Sequence, residues 1–415
     1  MKLLTFLGAP RKYHETTYFW QDKEYTTEYA PAASSRFLNS DQVIVFLTRK
    51  AREKYYDDFS RTLPGNLTCS PVDIPVGRDA DELWQLFELI GGAVDPGETV
   101  AFDITHGLRA FPFISLLVAA FLRSGLHVDL KAVLYGAYEV RDESTVPNRA
   151  PMFDLSPMIK LLEWSSAADR FNRTGDARYL ASLVAEQRKA LALAAGEDRD
   201  RLAEVGRLGN LAGALESISQ SLRLVRPHRI MVQTEGLKER VEKARPALEQ
   251  AEAARPFELL LDRVEAAYKP LGYSEPYQPG HMVETLEKER QILHWYVERE
   301  QWPQVVSLAR EWLLSWTMKQ MGMKELISFS DRKRMTQVLN SEAHEYLEAK
   351  KNDEEYQTLF IHQIEDTEKI LSLWHTLTDT RNDIDHAGMR KEPSSPEDLV
   401  KRIRYCVDEI EGLTI

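Results

Sequence analysis

The stretch VAFDITHGLR, residues 100–109, predicts how the amino-terminal part of this chain folds. Val100–Ile104 is a short apolar run that is typical of a buried strand, and Phe111–Ser124 has the apolar spacing of a helix. Gly107 lies between them, where a turn needs a residue without a side chain. A strand that leads through a tight turn into a helix is the repeating element of α/β domains.

Three more apolar runs have the same character: Lys2–Leu7, Gln42–Leu47 and Leu130–Tyr135. Runs that are apolar throughout predict parallel strands that are buried on both faces. Asp79–Ile90 adds a further helical pattern between two of the strands. We therefore expect residues 1–157 to form a doubly wound α/β domain, in which ligands bind beyond the carboxyl ends of the strands. The loops to examine follow Leu7, Leu47, Ile104 and Tyr135.

After Pro157 the strand patterns end, and the rest of the chain is predicted to be all-α. The predicted helices are Met158–Phe171, Tyr179–Ala195, Arg201–Leu224, Thr234–Ala254, Phe257–Tyr268, Met282–Glu298, Trp302–Met321, Arg332–Lys350, Glu354–Thr380 and a last one that Ser395 caps and that ends at Glu411. Pro270–Gly280 has the composition of a linker. We therefore divide this region into residues 158–280, a helical connector or insertion, and residues 281–415.

The composition narrows the classes of function. The 415 residues include 53 Lys and Arg against 65 Asp and Glu, a net charge of −12. An acidic chain is not expected to bind long duplexes through many phosphate contacts, although a small nucleic-acid site with local cations remains compatible with it. Two cysteines exclude a disulfide scaffold. Since no apolar run approaches the length of a membrane span, we expect a soluble, cytoplasmic protein without a membrane partner.

The turn after the third predicted strand combines groups that bind anions. Thr105, His106 and Gly107 offer hydrogen-bond donors and close backbone approach, and Arg109 adds a planar cation suited to phosphate. The loop after the first strand, Gly8-Ala9-Pro10-Arg11, should lie at the same edge of the sheet. The alternative is structural: Asp103 or Thr105 caps the helix and His106 only packs. In either case we expect the acidic Asp103 to order the turn.

A second group of residues, RNDIDHAG at 381–388, lies late in the helical region. Asn382 and His386 share a helix face because they are four residues apart, and Arg381 flanks them. A histidine can transfer a proton near pH 7, and an arginine can neutralise the charge that develops on phosphorus. These residues therefore suit phosphodiester cleavage without a metal. The alternative is a solvated helix end, because an isolated Arg-x4-His spacing occurs often by chance.

Four segments carry a resemblance to a known family. They are FLGAPRKY at 6–13, DITHGLR at 103–109, YGAYE at 135–139 and RNDIDHAG at 381–388. In this order they resemble the CRISPR-associated CARF–HEPN ribonucleases of type III systems, in the branch marked by a DxTHG motif. The resemblance implies a Rossmann-like CARF domain in residues 1–157 and a HEPN helical bundle in residues 281–415.

The resemblance also implies an activity and a set of site residues. The CARF domain would bind a cyclic oligoadenylate, a ring of four or six adenylates, as an allosteric activator. Two HEPN domains would form one composite site for single-stranded RNA in a homodimer or higher even-numbered oligomer. Arg381, Asn382 and His386 would be catalytic, without a cofactor or metal. The activator site would include Gly8, Ala9, Pro10, Arg11, Thr48, Thr105, His106, Gly107 and Arg109.

Two rival functions remain open at this stage. One is a non-catalytic sensor of a nucleotide second messenger, in which the helical region serves dimerisation or partner docking. The other is a nuclease that acts on DNA or tRNA. The sequence also leaves open the size of the activator ring and the degradation of that ring by the protein itself.

Overall fold

The computed structural model of the protein describes residues 1–107, 111–250, 255–358, 361 and 364–415. The chain forms two compact units, Met1–Glu163 and Trp164–Ile415. The first unit contains a sheet with helices, and the second unit is helical in its described residues. This confirms the predicted change of fold class from α/β to all-α.

The first unit is built on one sheet of eight strands. The strands are β1 Lys2–Leu7, β2 Thr16–Trp20, β3 Lys23–Thr27, β4 Gln42–Leu47, β5 Thr68–Asp73, β6 Thr99–Asp103, β7 Asp129–Gly136 and β8 Asn148–Asp154. Their order in the sheet is β3-β2-β8-β7-β6-β1-β4-β5. The five strands from β7 to β5 are parallel, whereas β8 runs antiparallel to β7 and β3 runs antiparallel to β2. The sheet is therefore mixed.

Helices cover both faces of the parallel part. In the first unit they are α1 Ala30–Leu38, α2 Arg49–Thr62, α3 Ala80–Gly91 and α4 Phe111–Gly125. Successive residues of a strand point to opposite faces, so Leu3 of β1 packs in one apolar core with α1 and α2. Leu4 packs in the other core, with α3 and α4. This arrangement confirms the doubly wound prediction for the centre of the sheet.

The remaining helices are α5 Ser156–Thr174, α6 Arg178–Ala195, α7 Arg199–Arg223, α8 Pro227–Glu235, α9 Leu237–Glu249, α10 Arg255–Tyr268, α11 Met282–Glu298, α12 Trp302–Gln320, α13 Phe329–Lys351, α14 Thr367–Asp385 and α15 Pro396–Glu411. From Trp164 onward, most of the buried apolar side chains that the structure describes form one continuous cluster. None of the helices described combines the length and the apolar composition that a membrane span requires. The further division of the chain near residue 280 stays a prediction, as does the HEPN bundle.

The sequence prediction missed four strands of the first unit. The hairpin of β2 and β3 is rich in polar residues, and β5 and β8 each contain a proline. These segments become strands because neighbouring strands supply their hydrogen-bond partners, which local sequence does not reveal. The four apolar runs that were predicted as strands are all strands in the structure.

Two helix predictions in the second unit were wrong in their extent. Thr234–Ala254 was predicted as one helix, but α8 ends before Gly236 and α9 begins after it. Glu354–Thr380 was also predicted as one helix, but α14 begins at Thr367, after Asp366 in the left-handed region. The hydroxyls of Tyr356 and Thr358 donate instead to the buried carboxylate of Glu342, which holds this segment against α13. The last helix was predicted correctly, with Ser395 accepting from the N–H of Asp398.

We predict that Phe102→Ala lowers the free energy of unfolding of the first unit by about 3–5 kcal/mol. Phe102 lies on the central strand β6 and is fully buried, so truncation leaves a cavity in the core. Urea unfolding followed by circular dichroism measures the loss. Phe153→Ala on β8 is the control, since Phe153 is exposed and should cost less than about 1 kcal/mol. Equal losses would contradict this account of the core.

Candidate functional site

A cavity of about 850 Å³ lies at the carboxyl ends of the parallel strands in the first unit. Three of its walls are the loops that follow β1, β4 and β6, as predicted for a doubly wound sheet. Of the residues expected at the activator site, the cavity is lined by Gly8, Ala9, Pro10, Thr48, His106 and Gly107. The structure therefore brings residues from three distant parts of the sequence to one place.

Hydrogen bonds to the carboxylate of Asp103 and to the hydroxyl of Thr105 hold the turn after β6. The fully buried carboxylate of Asp103 accepts from the hydroxyl of Ser34 and from the N–H of Thr105, at 3.0 Å in the second case. The hydroxyl of Thr105 accepts from the N–H of Gly136, at 2.8 Å. Burial raises the pKa of Asp103 to about 6. The prediction that Asp103 orders this turn is confirmed.

His106 lines the cavity as a neutral side chain. Its Nε2 accepts from the N–H of Ala30 at 3.2 Å, and its ring lies 4.6 Å from the ring of Tyr13. Burial lowers the pKa of His106 to about 3, so the imidazole carries no charge near pH 7. Because Nε2 accepts a hydrogen bond, the single proton of the neutral ring is on Nδ1, which is a donor.

The loop after β1 is fixed against its surroundings by its main chain. The Gly8 carbonyl accepts from the hydroxyl of Tyr13 at 3.0 Å, and the Pro10 carbonyl accepts from Lys54 Nζ at 3.0 Å and from the hydroxyl of Tyr55 at 2.8 Å. A Cβ at Gly8 would lie 3.0 Å from the His106 carbonyl oxygen. The two loops thus touch through their backbones, and only glycine permits this distance without a shift.

Two of the expected residues, Thr105 and Arg11, are not among the described residues that line the cavity. The Thr105 hydroxyl is engaged with Gly136, as described above. Arg11 is exposed, and its carbonyl accepts from Lys54 Nζ at 2.9 Å. Arg109 lies outside the residues that the structure describes.

Several residues of the cavity wall are not among those expected from the sequence. Arg49 and Lys50 are exposed cations in the first turn of α2, where Thr48 is the cap and accepts from the N–H of Ala51. The other lining residues that were not expected at the site are Leu7, Tyr13, Glu53, Ile74, Val76 and Phe111. The two cations could have been predicted from their position directly after Thr48, because the loop after Leu47 is one of the strand exits where a ligand is expected. Cations beside a helix amino terminus favour anionic ligands.

The second candidate site is at the carboxyl end of α14. Arg381 lies one turn before Asp385, the last residue of the helix, and His386 follows the helix, with its N–H donating to the Asn382 carbonyl at 3.0 Å. Asn382 and His386 are exposed. Arg381 Nε donates to Asp385 Oδ2 at 2.8 Å, and these side chains are 36% and 45% exposed. The three expected residues therefore share one solvent-accessible helix end.

A buried carboxylate fixes the chain beyond this helix end. Asp383 is almost fully buried, and its Oδ2 accepts from the N–H of Ser394 at 3.1 Å. This hydrogen bond lowers the pKa of Asp383. The Asp383 carbonyl accepts from the N–H of Gly388 at 2.8 Å, and Ala387 and Gly388 both have positive φ. The side chain and the main chain of Asp383 therefore both hold the segment that follows His386 in place.

A buried arginine adds positive charge near Arg381. The Arg310 guanidinium lies 4.3 Å from the centre of the Trp374 ring, and its Nη1 donates to Glu311 at 2.9 Å. Burial lowers the pKa of Arg310, and the charges of Arg381 and Arg332 act in the same direction. Arg332 pairs with the same Glu311, at 2.6 Å. Glu311 therefore pairs with two arginines, and one of them, Arg310, lies close enough to Arg381 for their positive charges to interact.

The middle of the chain is similar to a known CRISPR-associated protein. Residues 160–272 match the family described as CRISPR-associated protein MJ1674, second domain. CRISPR-associated protein MJ1674 of Methanocaldococcus jannaschii is 29% identical to this chain over 146 residues. This alignment covers 34% of the chain and 22% of the relative, so the chain spans about a fifth of the relative's length.

We predict that His106→Gln changes the pH dependence of stability. Below about pH 6.5 the unfolded chain protonates His106, whereas the folded protein excludes this proton until about pH 3, so acid destabilises the wild type. When the pH falls from 7 to 5.5, the free energy of unfolding of the wild type should decrease by about 1 kcal/mol more than that of H106Q. Urea unfolding at both values measures it. The exposed His14 provides the control H14Q, and a shrinkage of the same size there would refute the assignment.

Proposed function

We propose that the protein is a metal-independent endoribonuclease that a cyclic oligoadenylate activates, and that it acts in CRISPR antiviral defence. The observation that carries the proposal is the arrangement of Arg381 and His386 at the accessible end of α14. The similarity of residues 160–272 to a CRISPR-associated protein supports the biological setting. The cavity in the first unit supports a nucleotide ligand.

The proposed reaction needs no group beyond the RNA and the protein. The 2′-hydroxyl of the substrate attacks phosphorus while the 5′-oxygen of the next nucleotide leaves, which gives a 2′,3′-cyclic phosphate and a 5′-hydroxyl. His386 transfers a proton at one of these oxygens, and the His386 of a second copy is available for the other. Arg381 neutralises the charge that accumulates on the phosphoryl oxygens. Asn382 orients the phosphate.

The ion pair of Arg381 with Asp385 is compatible with this role. Both side chains are partly exposed, and ion pairs of this kind contribute about 0–1 kcal/mol. A phosphate can therefore replace Asp385 as the partner of the guanidinium at little cost. Arg310 is held more firmly, by burial and by its contact with Trp374, so it remains a fixed source of positive charge.

The cavity in the first unit has the groups that a nucleotide activator requires. The exposed cations Arg49 and Lys50 and the amino terminus of α2 attract phosphates. The neutral His106 offers its Nδ1–H to a ribose or base oxygen. Ile74, Val76 and Phe111 provide apolar surface for a base.

An apolar surface on α3 and α4 supports the expected dimer. Trp84, Phe113 and Phe121 are 66%, 65% and 51% exposed in the described structure, which is unusual for such large apolar side chains. Phe87 connects two of them, with ring centres 5.8 Å from Trp84 and 5.4 Å from Phe121. A two-fold pair would bury this surface and present the same loops twice to a symmetric ring of nucleotides.

We predict that Arg381→Ala and His386→Ala each lower RNA cleavage by roughly 10²–10⁴-fold. The assay combines the purified protein, labelled single-stranded RNA, cyclic tetra- or hexa-adenylate and EDTA. His375→Ala is the matched control, since His375 is exposed on the same helix and should leave the rate unchanged. A 2′-deoxy substitution at the scissile nucleotide should abolish cleavage.

Three results would contradict the proposed function. Cleavage of the 2′-deoxy substrate would indicate a different nucleophile and a DNA-type nuclease. Full activity of the R381A and H386A variants would place the chemistry elsewhere. Binding of the activator without cleavage of any substrate would favour the non-catalytic sensor.

We also predict that Lys50→Glu raises the activator concentration for half-maximal cleavage by at least about tenfold. The reversed charge repels the phosphates of the ring at the cavity wall. Titration of the activator in the cleavage assay measures the shift. Arg61→Glu is the control because Arg61 is an exposed cation in the last turn of the same helix. Equal shifts in the two variants would show that the cavity is not where the activator binds.

A further inference from the structure

A second cavity, of about 490 Å³, lies among α7, α8 and α9 in the Trp164–Ile415 unit. It belongs to neither of the sites described above. Its lining is rich in hydrogen-bond donors from both walls: Arg207, Asn210 and Ser217 on α7, and Gln233, Arg240 and Lys243 on α8 and α9. We call this cavity the α7–α9 groove.

Small residues keep the α7–α9 groove open. Gly213 and Ala214 contribute to the α7 wall, and Gly236 lies at the junction of α8 and α9. A Cβ added at Gly213 would meet no atom within 4 Å, so this glycine leaves free space. A Cβ added at Gly236 would lie 3.0 Å from Arg240 Nη1, so the glycine lets this guanidinium lie close to the backbone.

The cations of the groove are poorly balanced by carboxylates. Among the described residues, neither Arg207 nor Arg240 has an ion-pair partner, and Arg240 Nη1 donates only to the Gln233 carbonyl, at 3.4 Å. Lys243 pairs with Glu239, which is the one carboxylate among the described residues of the lining, and both of these side chains are largely exposed. Residues 199–250 carry ten Lys and Arg against seven Asp and Glu, in a chain whose net charge is −12. This local excess of positive charge favours an anionic ligand.

We propose that the α7–α9 groove binds the sugar–phosphate backbone of single-stranded RNA. The choice of RNA as the anion rests on the proposed function. The groove would hold a part of the RNA substrate that is distant from the reacting phosphate. Arginines and neutral donors on opposite walls suit successive phosphates. The residues of the lining that the structure describes include no aromatic side chain, so we expect contacts with the RNA backbone that are independent of base sequence. The groove lies in the segment that is similar to the second domain of CRISPR-associated protein MJ1674.

The test measures binding without cleavage. A fluorescent 20-nucleotide RNA with 2′-O-methyl groups is titrated with the full-length protein, without activator, and its anisotropy is recorded at several salt concentrations. The double variant Arg207→Ala/Arg240→Ala should bind at least about tenfold more weakly. Its plot of log affinity against log salt should be less steep by about 1.4, since two phosphate contacts are lost.

The matched control is Arg223→Ala/Lys238→Ala, which removes two exposed cations from the same helices α7 and α9 but outside the groove. Its affinity should stay within twofold of the wild type. Equal losses in the two double variants would indicate general electrostatic attraction and overturn the site. Failure of the wild type to bind RNA at 100 µM protein would also overturn it.

Two further outcomes separate the groove from other assignments. Adenosine monophosphate should compete only at concentrations more than about 100-fold above those of unlabelled RNA, and equal competition would overturn a backbone site. Groove-dependent RNA binding in a protein that never cleaves RNA would refute the proposed function and support the groove. If the wild type cleaves RNA and R207A/R240A binds RNA as tightly as the wild type, the groove is refuted and the proposed function is supported.

Discussion

The first unit depends on one buried carboxylate at the end of β6. Asp103 accepts from the hydroxyl of Ser34 on α1 and from the N–H of Thr105 in the following turn. It joins the sheet, a helix on its face and the turn that lines the cavity. Removal of this charge from water raises its pKa, so the folded protein bears a cost that these hydrogen bonds partly offset. His106 adds a second tie to α1 through the N–H of Ala30.

The same physical principle recurs in the second unit. Asp383, also buried, closes the turn that follows α14 by accepting from the N–H of Ser394, and its carbonyl accepts from Gly388. In both units a carboxylate with few contacts to water determines the path of the chain, while the residues with proposed chemical roles lie beside it and remain accessible. This arrangement orients Asn382 and His386 while it leaves them exposed, whereas His106 is half-buried in the cavity wall.

The strands and loops that can be predicted from the sequence are those with a clear local pattern of apolar residues. β1, β4, β6 and β7 are largely apolar, and parallel pairing of such runs is enough to predict that the Gly8 and His106 loops share one edge of the sheet. Arg49 and Lys50 were missed because α2 is a polar helix whose pattern did not stand out. The bond between Ala30 and His106 joins residues 76 positions apart, and no local pattern encodes it.

The order of the strands has a consequence for self-association. The two outer strands of the sheet are β3 and β5. Pro71 interrupts the donors of β5, and the exposed charges Lys23 and Glu24 begin β3. Proline and charged side chains on outer strands discourage another chain from extending a sheet. The sheet is therefore protected from edge-to-edge aggregation, and a second copy is expected to dock against helices rather than add strands.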